Sequence, residues 1–168
     1  MKLYFSPGAC SYAVHIVLEE INAMFELVYI GKKTDMGTLQ QFSSVNPLKS
    51  VPTLELDDGI ILTQSISILE FLADMNPEYN LLAPIGSLDR TKIITWLSFI
   101  ATDIHKSFSP LFSLNNITHD KTAQNEIFRW NESNIKKYFG LINNHLDGKC
   151  YLECDRFTIA DAYLFVVF

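Results

Sequence analysis

Apolar and polar positions along the chain switch between two periods. Residues 2–6 carry the apolar run Leu3-Tyr4-Phe5 and read as a strand. From 11 to 21, Ala13, Ile16, Val17 and Leu18 fall at helical spacing. Phe25 to Ile30 reads as a second strand, so the opening is β-α-β. The polar segment from Gly31 to Ser44 reads as a loop. Pro52 to Leu56 alternates as a strand, Asp57-Asp58-Gly59 is a hairpin turn, and Ile60-Ile61-Leu62 returns. Ser65 to Asp74, with Ile66, Ile68, Leu69, Phe71 and Leu72, predicts a helix.

Asn76-Pro77 to Pro84 is rich in breakers and marks a boundary. Beyond it strand signals stop. Asp89 to Lys106 is helix-periodic through Ile93, Ile94, Trp96, Leu97, Ile100 and Ile104, with Ser109-Pro110 placed to interrupt or kink it. His119 to Leu146 is a second helical stretch. Thr158-Ile159-Ala160-Asp161 opens a third, with Thr158 as N-cap and an acid three residues on, as in a capping box. The pattern predicts an α/β unit over residues 1–79 and an all-α unit over 86–168. Ile159 to Phe168 is almost wholly apolar, so the helix is expected to be buried on all sides. Nothing evident in the sequence covers its far side, which suggests that helices beyond Phe168 are missing.

The chain has 168 residues, 48% hydrophobic and 19% charged, a composition for a packed core rather than disorder. The net charge of −6 and the lack of any Lys/Arg cluster beyond a pair exclude an electrostatic footprint for nucleic acid. The longest apolar run, Ala162 to Phe168, is too short to span a bilayer, and no signal peptide is evident. Three cysteines without a regular framework fit a reducing cytoplasm better than a secreted disulfide scaffold.

One of those cysteines sits where chemistry is favoured. Cys10, in Ser6-Pro7-Gly8-Ala9-Cys10-Ser11, lies between the first strand and the first helix. Unpaired N–H groups and the positive end of the helix dipole at such a turn lower a thiol pKa, and the thiolate is the reactive form. The same context suits a buried, inert cysteine, and the local sequence leaves both readings open.

Further features stand in a telling order: Val51-Pro52 before the third strand, Gln64-Ser65 opening the helix after the hairpin, and a helical second half carrying Thr158-Ile159-Ala160-Asp161. Together with the Cys10 turn they resemble the cytosolic glutathione transferases. Lys2 to Ser11 and the run Trp96 to Lys106 look like the bacterial beta class in particular. The resemblance implies a thioredoxin-like α/β domain followed by an all-helical domain, usually as a homodimer, with glutathione as co-substrate and no metal. It implies a cis Val51-Pro52 bond whose Val51 backbone pairs with the cysteinyl part of the tripeptide, and Gln64 and Ser65 holding the γ-glutamyl carboxylate. It implies Lys33, or Lys32 beside it, on the glycyl carboxylate. His105 would lie near the sulfur to stabilise a thiolate or donate a proton. Asp103, with Ser98 nearby, would reach the glutathione amino group of a second copy, and Ser11 would share the thiolate-stabilising task with Cys10.

The chain also departs from the beta-class pattern. Phe5 stands where a tyrosine is usual, and Lys49 occupies a position that is commonly glycine and is strained if its φ is positive. The expected activity is conjugation of glutathione to a small hydrophobic electrophile, lodged near Trp96, Phe108 and Phe112 at most, with thiol–disulfide exchange at Cys10. The rivals are a glutaredoxin-like oxidoreductase, disfavoured by the lack of a second cysteine three residues on, and a non-enzymatic binding module of the same fold.

Overall fold

The computed structural model describes residues 1–168. Its first part is a four-stranded sheet of β1 (Lys2–Phe5), β2 (Glu26–Tyr29), β3 (Thr53–Glu55) and β4 (Ile61–Thr63), in the order β2-β1-β3-β4. β1 pairs parallel with β2, setting Leu3 opposite Leu27, and antiparallel with β3, setting Leu3 opposite Leu54. A parallel pair needs a crossover, and α1 (Ser11–Glu20) supplies it; the β3–β4 hairpin turns at Asp57-Asp58-Gly59, with Gly59 at φ 83°. α3 (Ser65–Met75) packs beside α1.

The segment expected as a loop after β2 contains a helix, α2 (Met36–Val45). Asp35 caps it, accepting from the Thr38 N–H at 2.9 Å and the Thr38 hydroxyl at 2.7 Å. Leu3 and Tyr4 are consecutive in a strand and so face opposite sides of the sheet. Leu3 joins the core with α1 and α3, whereas Tyr4 stacks on Phe42 of α2 at 5.1 Å between centroids. Phe42 is the only buried residue of α2. One buried contact among polar residues makes too thin a stripe to outweigh Gly37 and four Ser/Gln side chains in a periodicity reading.

The second part is all helical. α4 (Leu88–Phe99) runs through a π-helical segment (Ile100–His105) into α5 (Lys106–Phe112); α6 (Leu114–Ile117), α7 (Lys121–His145) and α8 (Ile159–Val167) follow. Pro110 lies inside α5 and does not end it; the departure from α geometry is upstream, at Ile100–His105. Asp161 accepts from the Thr158 N–H at 2.8 Å and from its hydroxyl at 2.7 Å, and takes the Leu152 N–H at 2.8 Å. The capping box therefore forms, with Asp doing what Glu or Gln usually does.

Polar links and a shared core join the two parts. Arg90 of α4 forms a two-pronged ion pair with Asp74 of α3, at 2.7 and 2.8 Å. The Ile159 N–H donates to the Leu81 carbonyl at 3.0 Å. Above all, α8 packs against α1, α3 and α4, and one buried cluster of 25 residues runs from Leu3 to Val167 through both parts. α8 is buried at Ile159, Ala160, Ala162, Tyr163, Leu164 and Val167, but Phe165 is 70% exposed. The all-round burial expected from its composition is met on all but that face.

Candidate functional site

Two buried networks shape the ground around Cys10. Ser11 is wholly buried, and its hydroxyl accepts from the Ser6 N–H at 3.1 Å and donates to the Ser6 carbonyl at 3.2 Å. That clip closes the turn after β1 and leaves Cys10 at the N-cap of α1. The Asn46 side chain, also buried, donates to the Ser50 carbonyl at 3.0 Å and to the Thr53 hydroxyl at 2.8 Å. It folds the segment that ends in a cis Val51-Pro52 bond. Lys49 in that segment has φ 52°, the left-handed strain foreseen for it. The two networks meet where the Cys10 thiol donates to the Val51 carbonyl at 3.3 Å.

A cavity of about 610 Å³ opens there, within the range of small-molecule sites. From the sheet side it is lined by Cys10, Val51, Pro52, Gln64 and Ser65. From the helical side come His105 and Lys106. Six of the residues singled out in the sequence therefore converge: Cys10, Val51, Pro52, Gln64, Ser65 and His105. Gln64, at φ 71°, is the N-cap of α3, so the free N–H groups of that helix start face the same space.

Three residues do not line it. The Ser11 hydroxyl is engaged with Ser6, so only its backbone N–H bears on the Cys10 sulfur. Lys33, like Lys32, is an exposed side chain outside the lining. Asp103 accepts from the Thr102 hydroxyl at 2.7 Å and is likewise outside. Nor is the cavity lined by the aromatic residues considered for an electrophile. The Trp96 indole donates to Glu153 at 3.1 Å and packs on His145, and Phe112 is 86% exposed.

Among the lining residues to which the sequence reading gave no site role are Lys106 and Tyr163. Lys106 follows His105, and the π-helical segment ends between them. Tyr163 sits in an apolar helix and reads as core; its hydroxyl meets His105 Nδ1 at 3.0 Å. Only the packing of α8 against the π-helical segment reveals that role.

The electrostatics invert one expectation. Burial pushes the Cys10 thiol up from its ordinary pKa. The Ser65 hydroxyl and the N–H groups of Cys10 and Ser11 pull the other way without overcoming it. The helix start does favour the thiolate, but less than the low-dielectric surroundings disfavour it. Burial, then the Lys106 charge, lowers the His105 pKa. Tyr163 is pushed up to about 12, first by burial and then by Cys10.

Comparison with known proteins fits this geometry. The family described as glutathione S-transferase, N-terminal domain, matches residues 8–75. The glutathione S-transferase GstA of Escherichia coli O157:H7 is 41% identical, over 99% of this chain and 80% of that protein. The chain belongs to the glutathione S-transferase family. Among solved structures, a bacterial beta class glutathione S-transferase of Sphingomonas chungbukensis is 35% identical with a TM-score of 0.85, covering 99% of this chain and 80% of that one. A sphingomonad glutathione S-transferase complexed with glutathione superposes with a TM-score of 0.83, also at 35% identity and with the same coverage. The chain is thus a beta-class transferase, with a thioredoxin-like domain followed by a helical one and glutathione as co-substrate. No helix of this transferase is long and apolar enough to cross a membrane.

Proposed function

We propose that the cavity beside Cys10 binds glutathione and that its thiol is conjugated there to a small hydrophobic electrophile. One observation carries this reading: a single cavity gathers Cys10, the Val51-Pro52 bend and the start of α3 from one half, and His105 and Lys106 from the other. Glutathione is an extended peptide with two carboxylates and one ammonium group. The start of α3, with the Ser65 hydroxyl, suits its γ-glutamyl carboxylate. The Val51 backbone suits pairing with the cysteinyl unit as an added strand would. Lys106 lines the cavity and takes the part of carboxylate partner that the resemblance implied for Lys33 or Lys32.

The sulfur of the tripeptide then lies near Cys10. Because the Cys10 thiol is pushed up, Cys10 stays protonated near neutral pH and acts as a hydrogen-bond donor. The glutathione thiolate is the conjugating nucleophile, and His105 faces it. Cys10 has a second role in thiol–disulfide exchange. On losing its proton to solvent, Cys10 attacks one sulfur of glutathione disulfide; a Cys10–glutathione bond forms as the disulfide bond breaks, and the other glutathione leaves as a thiolate that takes up a proton. A dithiol cycle is disfavoured, since neither Cys150 nor Cys154 lines the cavity. The working form is a homodimer in the cytoplasm, detoxifying electrophiles, in which Asp103 of one copy reaches the glutathione amino group of the other. The glutathione-binding and helical units divide at residues 79 and 86.

The test separates the two activities. Wild type is expected to be retained on immobilised glutathione and to conjugate a model aryl halide. The Cys10→Ala variant is expected to keep conjugation within about 10-fold while losing the mixed disulfide seen by intact mass after treatment with glutathione disulfide. A protein that ignores the resin and leaves Cys10 unprotected by glutathione against alkylation overturns the site assignment. Disulfide reduction without conjugation overturns the transferase reaction at this site in favour of exchange.

A further inference from the structure

His105 is left with an unspecified proton by everything above, and α8 specifies it. Between Ile159 and Phe168 the only polar side chains are Asp161, which caps the helix, and Tyr163. Tyr163 is 3% exposed, and a buried phenol needs a partner. It finds His105 Nδ1 at 3.0 Å, with the two rings edge to face.

A neutral imidazole has one nitrogen that donates and one that accepts, so this contact decides which is which. A phenol is much the stronger acid of the pair, and an imidazole nitrogen is a far better base than a phenol oxygen. The proton between them therefore belongs to Tyr163. The Tyr163 hydroxyl has no other hydrogen-bond partner in the protein, so its proton is free for Nδ1. No buried side-chain nitrogen or oxygen in the protein lacks a partner. His105 Nε2 makes no protein hydrogen bond and is therefore not buried, and His105 lines the cavity.

We propose that Tyr163 is a positioning residue. Its hydroxyl donates to His105 Nδ1 and fixes the neutral imidazole with its proton on Nε2, aimed into the cavity as a donor to the reacting sulfur. This rests on the reading of the cavity as the glutathione site. It sharpens the role of His105: the imidazole does not take a proton from the thiol through Nε2, but holds a hydrogen bond to the thiolate. Tyr163 reaches it from α8, across the cavity lining that both residues share with Cys10.

Nitrogen NMR of protein labelled in histidine tests the proposal. The His105 signals are assigned by their loss in His105→Gln and read at pH ~8, where the ring is neutral. Wild type is expected to show the Nε2-protonated tautomer. Tyr163→Phe, which keeps the ring and the packing, is expected to shift His105 towards the Nδ1-protonated form. It is also expected to lower kcat for an aryl halide about 10-fold while KM for glutathione moves less than about 2-fold. An Nδ1-protonated ring in wild type, a tautomer unchanged by Tyr163→Phe, or a shifted tautomer with unchanged kcat each overturns it. Calorimetric titration with glutathione runs alongside. If binding is absent while the tautomer behaves as described, the glutathione reading of the cavity fails and the Tyr163–His105 assignment stands.

Discussion

At the scale of single residues, the site is an argument between burial and hydrogen bonding. Cys10 shows burial winning over a helix start, and His105 shows the same force on a base. For His105 the consequence is a dependence of stability on pH. Its folded pKa lies below the unfolded value of about 6.5, so the unfolded chain binds the proton more readily. The contribution is intact above pH ~6.5 and is lost as the pH falls through the folded value. Denaturant midpoints measured from pH 7.5 down to 5 are expected to decline, and to decline less steeply in His105→Gln. An equal slope in the two proteins contradicts the assignment. Cys10, Val51-Pro52 and Ser65, each ambiguous in its local sequence and singled out by the order of the motifs and the resemblance it carries, do line the cavity. Lys106 and Tyr163 were not legible in the sequence, because what selects them is the approach of α8 to the π-helical segment, some 58 residues apart in the His105–Tyr163 pair.

At the scale of elements, the decisive irregularity is the π-helical segment from Ile100 to His105. An α-helix turns about 100° per residue, so one residue more or less within a turn rotates everything beyond it by that angle. The wider π turn holds the equivalent of one extra residue, and π-bulges are frequent at functional sites. It is what brings His105 and Lys106 round to the cavity while Ile100 and Ile104 stay buried. Deleting the exposed Thr102 is expected to restore α geometry and swing His105 away from Tyr163. Conjugation should fall by about 100-fold or more with helix content by circular dichroism preserved. A deletion variant of near-normal activity shows the π turn to be incidental. Apolar periodicity predicted one helix through this region but carries no mark of an extra residue. The same blindness to context hid α2, whose single buried side chain, Phe42, has meaning only once Tyr4 is known to face it across the sheet.

At the scale of the whole molecule, the breaker-rich stretch from Asn76 to Pro84 suggested two units, and the core does not respect that division. Leu3, Leu18, Leu97 and Val167 belong to one buried cluster. Unfolding is therefore expected to be a single cooperative transition. Leu18→Ala, in the wholly buried face of α1, is expected to cost about 2–4 kcal/mol and to move the transition as one, by circular dichroism and by the fluorescence of Trp96 and Trp130 alike. Two separated transitions refute a shared core. The helix that carries Cys10 is held on one side by the sheet and α3 and on another by α8. Recombination between relatives has to respect that. A crossover in the Asn76–Pro84 linker looks harmless on the chain, yet it parts α1 from the α8 it was fitted to. Chimeras made there inherit a mismatched seam beneath the reactive sulfur, so the linker is a poor place for this family to trade parts.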